Sequence, residues 1–158
     1  MPGMGCRLLI VEDQELVAMT LTRVVRRLNF DLVGSAPTAE RAIELARDCR
    51  PHVLLMDFHL KAVLDGAETA RAILHETQAR IVFLTGSCEP EQIASMRAVG
   101  PDAIVFKPFR RTELAEALAL AARASLAHRG LAAPSLDCAL PGLARATATG
   151  GVRQLTET

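Results

Sequence analysis

Val53-Leu54-Leu55-Met56-Asp57 decides the fold. Four apolar residues run without a break and end on a carboxylate, with Pro51 just before them and a polar loop after. Such a run, with no alternation, predicts a strand covered on both faces, as in a parallel sheet. Ligand sites of open parallel sheets form beyond the carboxyl ends of the strands, which is where Asp57 stands. Three other apolar runs end in the same way. Leu8-Leu9-Ile10-Val11 leads into Glu12 and Asp13, Ile81-Val82-Phe83-Leu84 into Thr85, and Ala103-Ile104-Val105-Phe106 into Lys107. Three carboxylates, a hydroxyl and an ammonium are therefore expected to meet at one sheet edge.

The segments between these runs read as helices. Strand one covers Cys6 to Val11. From Gln14 to Leu28, Val17, Leu21, Val24 and Leu28 share one face, and Arg23, Arg26 and Arg27 cluster towards the C-terminal end. Asn29 closes this helix. Asp31 to Ala36 is a weaker strand with a glycine inside, expected near a sheet edge. Thr38 is a good N-cap with Arg41 at the third position, giving half a capping box. That helix runs to Cys49, burying Ala42, Ile43, Leu45 and Ala46, and Pro51 ends it. Beyond Asp57, Phe58 to Gly66 is a loop without periodicity, and Ala67 to Thr77 is a third helix. Arg80 to Leu84 is the fourth strand, followed by the polar exit Thr85-Gly86-Ser87-Cys88. Glu89-Pro90-Glu91 opens a helix that Gly100-Pro101 ends. Asp102 to Phe106 is the fifth strand, and Arg111 to Ala127 the last helix. Strand and helix alternate five times with short connections. Right-handed crossovers then give a flavodoxin-like, doubly wound α/β fold: a five-stranded parallel sheet, (βα)5, with helices on both faces.

Composition narrows the function. Fifty per cent of the 158 residues are apolar, enough for one domain with a real core. The 18 basic and 18 acidic residues cancel, so no nucleic-acid footprint or membrane anchor is expected. No apolar run approaches the roughly 20 residues that span a bilayer. Residues 1–5 form a short lead rather than a signal peptide, so a cytoplasmic protein is expected. Cys6, Cys49, Cys88 and Cys138 are far apart in sequence, without a CxxC pair, and read as reduced thiols rather than a zinc site. From Gly130 the composition shifts to proline and glycine without a sustained period. Residues 129–158 are expected to be a disordered tail, too short for an output domain.

Paired acidic residues after one strand and a third carboxylate on the central strand suit a hard divalent cation. Mg²⁺ takes oxygen ligands and completes its shell with water or phosphate oxygens. A carboxylate beside such an ion is a competent nucleophile towards phosphorus. Phosphoryl transfer then needs positioning and charge neutralisation, for which Lys107 and Thr85 stand ready. Gly86, beside Thr85, carries no side chain to cover the site. A haloacid-dehalogenase-type phosphatase is a weaker reading, because His59 stands two past Asp57 where a second Asp would act as general acid. An FMN site is weaker still, because the loop after strand one is acidic.

Four motifs carry a family resemblance over residues 6–128: Val11-Glu12-Asp13, the run ending at Asp57, Phe83-Leu84-Thr85-Gly86, and Lys107-Pro108-Phe109. In this order and at strand ends, they resemble the receiver domain of two-component response regulators, the CheY-like fold, in its stand-alone form. The resemblance implies that Asp57 is the phosphoacceptor, supplied by a histidine kinase or histidine phosphotransfer protein. It implies Mg²⁺ held by Asp13, Asp57, the backbone carbonyl of His59 and, through water, Glu12. Thr85 would be the switch hydroxyl and Lys107 the partner of the phosphoryl group. The Lys107-Pro108 bond resembles one that is cis in the family. The implied output is a switched contact with a downstream protein or a phosphorelay step, by a monomer or weak homodimer. The catalysis implied is limited to its own aspartyl phosphorylation and dephosphorylation. Three positions depart from the family pattern. Lys61 stands where a proline is usual, the Asp65-Gly66 pair arrives one residue late, and Ile104 replaces the aromatic residue three before the lysine. His59 and Ser87 occupy positions that tune dephosphorylation in the family. The alternative is a receiver-like binding module that is not phosphorylated.

Overall fold

The computed structural model describes residues 3–61 and 64–130, so the tail expected over residues 129–158 lies, but for its first two residues, outside the described residues. Apolar runs become strands because each is covered on both sides. All five residues of the central strand are buried. In chain order the elements are β1 (Arg7–Val11), α1 (Glu15–Arg27), β2 (Asp31–Ala36), α2 (Ala39–Cys49), β3 (Val53–Asp57), α3 (Gly66–Glu76), β4 (Arg80–Thr85), α4 (Pro90–Val99), β5 (Ala103–Phe106) and α5 (Arg111–His128). The strands pair in parallel in the order β2-β1-β3-β4-β5. β3 lies at the centre and β2 at an edge, as its internal glycine leads one to expect.

Side chains alternate across each strand and so build two cores. Leu8, Ile10, Val53, Leu55, Val82 and Leu84 face the layer of α1 and α5, meeting Leu21, Val24, Val25, Leu114 and Leu118. Leu9, Val11, Leu54, Met56, Ile81 and Phe83 face the layer of α2, α3 and α4, meeting Ala42, Ala46, Ala70, Ile73 and Met96. Val25 is fully buried beside the expected stripe of α1, whose outer members Val17 and Leu28 are only partly covered.

Helix ends follow their local chemistry. Thr38 Oγ1 accepts the Arg41 N–H at 3.2 Å. Asn29 (φ 61°) follows α1 and Gly100 (φ 79°) ends α4, both in the left-handed region that Gly and Asn tolerate best. α3 begins at Gly66, one residue before its expected start. The reason is a full capping box: Asp65 Oδ1 accepts the Glu68 N–H at 2.8 Å, and Glu68 Oε2 accepts the Asp65 N–H at 3.0 Å. Among the described residues, no helix is long and apolar enough to cross a membrane.

Candidate functional site: an acidic cluster at the carboxyl end of the sheet

The parallel register brings the carboxyl ends of β1, β3, β4 and β5 to one edge. Glu12 extends β1, its N–H donating to the Ala36 carbonyl at 3.0 Å. Asp57 is the last residue of β3, and the chain after it is tied to β4 by the Phe58 N–H donating to the Leu84 carbonyl at 2.9 Å. Lys107 follows β5, its N–H donating to the Thr85 carbonyl at 2.7 Å. The Lys107-Pro108 peptide is cis, as the resemblance implies.

These backbone ties bring the expected side chains together. Glu12, Asp13 and Asp57 each offer a carboxylate oxygen, and all three oxygens lie within 4.8 Å of one another. Glu12 and Asp57 are buried and Asp13 is half-buried. Lys107 Nζ bridges two of them, 3.3 Å from Glu12 Oε2 and 3.4 Å from Asp57 Oδ1. Asp57 Oδ1 also accepts the His59 N–H at 3.2 Å, and Glu12 Oε1 accepts the Gln14 N–H at 3.0 Å. One ammonium does not balance three carboxylates. Burial raises the Glu12 carboxyl to about 7; Asp57 adds to that rise, while the Gln14 N–H and Lys107 oppose it. Asp13 Oδ1 is buried without a hydrogen-bond partner among the described residues. A clustered oxygen donor set with one donor orphaned fits a hard divalent cation such as Mg²⁺.

Thr85 is fully buried, and its hydroxyl is turned to its own loop. Oγ1 accepts the Ser87 N–H at 3.1 Å, a local turn that ends β4. A Cβ built at Gly86 would meet nothing within 4 Å, so no close approach requires glycine there. Gly66 is different. A Cβ there would lie 2.5 Å from the Asp57 carbonyl oxygen and 2.7 Å from Phe58 Cα. Although it arrives late in sequence, Gly66 lets α3 seat directly on the loop that follows Asp57, and its N–H donates to the Phe58 carbonyl at 2.9 Å. The Asp-Gly pair was the available signal, and the capping box fixes its place. Ala62 and Val63 of this loop lie outside the described residues. His59 is exposed, its ring set edge-to-face on Phe58 at a centroid distance of 5.1 Å. Ile104 is half-buried against the α4 side rather than swung out, and Phe106 is the exposed apolar residue of β5.

Among the described cysteines, Cys6 is buried, Cys49 half-buried and Cys88 exposed, and all are free thiols. Cys138 lies outside the described residues. The Glu12-Asp13-Asp57 set is the single group of three potential metal ligands found among the described residues, and it contains no cysteine.

Known proteins are similar to this chain in sequence and in fold. The family model for the response regulator receiver domain matches residues 8–119. The transcriptional regulatory protein PdtaR of Mycobacterium tuberculosis is 33% identical over 115 residues, covering 73% of this chain and 56% of that protein. Chemotaxis protein CheY of Thermotoga maritima is 23% identical over 116 residues, covering 73% of this chain and 96% of that protein. The solved signal receiver domain of a modulated diguanylate cyclase from Desulfovibrio desulfuricans superposes with a TM-score of 0.72 at 31% identity, covering 78% of this chain and 98% of that one. The alignments with PdtaR and with the phyllosphere-induced regulator PhyR span 56% and 40% of those proteins, about half their length. A five-stranded parallel sheet of this order, with an acidic cluster at its carboxyl edge and a family match over most of the folded chain, makes this chain a member of the response regulator receiver domain family of two-component systems.

Proposed function

We infer that Asp57 accepts a phosphoryl group from a histidine kinase or histidine phosphotransfer protein in a Mg²⁺-dependent step. The observation that carries this reading is the placement of the Asp57 carboxylate. It ends the central strand, lies within 4.8 Å of the Glu12 and Asp13 oxygens, and has Lys107 Nζ 3.4 Å away. In the transfer, the phosphorus–nitrogen bond of the donor phosphohistidine breaks and a phosphorus–oxygen bond to an Asp57 carboxylate oxygen forms. The imidazole leaves with the electron pair. Asp13, Asp57 and the His59 carbonyl, with Glu12 acting through water, would hold Mg²⁺, which supplies charge neutralisation at the phosphoryl oxygens. Lys107, already between Glu12 and Asp57, pairs with the incoming phosphoryl group. The Thr85 hydroxyl exchanges its Ser87 contact for a phosphoryl oxygen. That exchange moves the β4–α4 loop and biases which downstream protein binds.

The alternative is a receiver-like binding module without phosphorylation, and the half-buried Ile104 in the place of an aromatic switch favours it. A Phos-tag gel after exposure to acetyl phosphate or a histidine kinase with Mg²⁺ decides between them. A shifted band in the wild type and none in Asp57→Asn supports the phosphoacceptor. If neither donor shifts the wild type and beryllofluoride with Mg²⁺ leaves its melting unchanged, the binding-module reading replaces it.

A further inference from the structure

At the end of the sheet opposite Asp57, strand starts and helix ends enclose a groove of about 550 Å³. Arg7 at the start of β1, Arg50 at the left-handed C-cap of α2, His52 just before β3 and Arg129 just past α5 line it. Glu76 is the one carboxylate among its described lining residues, and Arg47, from outside the groove, takes both of its oxygens at 2.8 Å.

The three lining guanidiniums are spent on neutral acceptors. Arg7 Nε and Nη2 donate to the Arg50 carbonyl at 3.1 and 2.8 Å. Arg50 Nη1 donates to the Glu76 carbonyl at 3.3 Å, and Arg129 Nε to the Ser125 carbonyl at 3.4 Å. Among the described residues none of the three makes an ion pair, and the groove sets three guanidiniums against one carboxylate, Glu76, which also feels the Arg50 charge.

His52 adds an independent sign. Its Nδ1 accepts the Arg7 N–H at 3.0 Å, so the neutral ring carries its proton on Nε2. Nε2 then lies 3.2 Å from Arg129 Nη1, with a donor facing a donor. An oxygen anion bridging them from the groove side would accept from both. Burial first, then the Arg129 and Arg7 charges, hold the imidazole down at about 4.

We propose that this groove binds a small phosphate-bearing anion, whose oxygens are taken by the guanidiniums of Arg7, Arg50 and Arg129 and by the Nε2–H of His52. Planar guanidinium forks match phosphate oxygens, and three of them suit a multiply charged group. The volume falls in the range of small-molecule sites, with room for more than the phosphate itself. The inference is independent of phosphorylation at Asp57.

The test uses the full chain without Mg²⁺. Inorganic pyrophosphate is titrated at constant ionic strength while the His52 ring protons are followed by NMR. The expected result is a saturable shift, a raised His52 titration midpoint, and binding weakened about tenfold in each of Arg50→Gln and Arg129→Gln. Both variants remove exposed side chains that, among the described residues, pair with no carboxylate, so they are expected to fold. Asp57→Asn should respond as the wild type does, which separates this groove from the acidic site. The proposal is overturned if the shift does not saturate, if sodium chloride reproduces it, or if both Arg variants bind as tightly as wild type. Citrate binding as well as pyrophosphate does overturns the phosphate class.

Discussion

Within the acidic cluster, Asp13 is the residue left unsatisfied in the absence of an ion. Its Oδ1 is buried without a partner among the described residues, and its carboxylate lies against two others. Replacing it by a neutral isostere removes like-charge repulsion and supplies a donor. Asp13→Asn is therefore expected to stabilise the protein in EDTA by about 1 kcal/mol while removing the stabilisation that added Mg²⁺ gives the wild type. Melting scans with EDTA and with Mg²⁺ measure both effects; a variant less stable in EDTA, or still stabilised by Mg²⁺, would contradict the metal-site reading. Lys107 gives the opposite expectation. It is the cation that bridges Glu12 and Asp57, so Lys107→Met leaves two buried carboxylates facing each other. A loss of about 2 kcal/mol is expected in EDTA, measured by chemical denaturation, and an unchanged midpoint would show that the bridge contributes nothing. These residues were legible in the sequence because each ends an apolar run, and parallel strands carry their last residues to one edge. The Thr85 hydroxyl's turn towards Ser87 was not legible, because a local hydrogen bond to the next loop leaves no spacing pattern.

At the scale of elements, α3 matters most to the site, because it begins against the loop that follows Asp57. Gly66 is its first residue, and an added Cβ would meet the Asp57 and Phe58 backbone rather than a yielding side-chain tip. Gly66→Ala is therefore expected to cost about 2 kcal/mol of stability and to slow phosphorylation of Asp57. Urea denaturation and the rate of Phos-tag conversion test this together. Wild-type behaviour in both would mean that α3 can move away from the loop at no cost. By contrast, Gly86→Ala should leave stability near wild type, since its Cβ would enter open space. Element type was readable throughout from apolar runs and helical stripes. Element edges were less so: Cys6 reads as strand but precedes β1, and Gly66 reads as loop but opens α3. In both places hydrogen bonding decides. Cys6 is tied by its N–H to the Gly3 carbonyl, and α3 is fixed by the Asp65–Glu68 box.

For the whole molecule, the sheet has two ends of opposite character. The acidic end was readable from the sequence, because all its residues follow strands. The basic groove was not, because Arg7, Arg50 and Arg129 lie far apart in the chain and meet only where strand starts and helix ends gather. The two ends give opposing pH dependences. Burial lifts Glu12 from its ordinary 4.5 to about 7, so between those values the folded protein binds a proton more readily than the unfolded chain. Its contribution to stability therefore falls as pH rises through that window. His52 is held at about 4 against an ordinary 6.5, so in its window the unfolded chain binds the extra proton. Its contribution rises with pH and is complete above about 6.5. Across roughly pH 4.5 to 6.5 the two slopes oppose each other in the ion-free protein. His52→Asn keeps an acceptor for the Arg7 N–H but removes the titration. Its stability in EDTA should fall more steeply with rising pH than the wild type's. Glu12→Gln should do the reverse. Mg²⁺ favours ionised Glu12, so adding it should abolish the Glu12 slope and leave that of His52. Denaturation midpoints of the three proteins across this range test the argument, and parallel curves would mean that neither end of the sheet holds its titrating group as described.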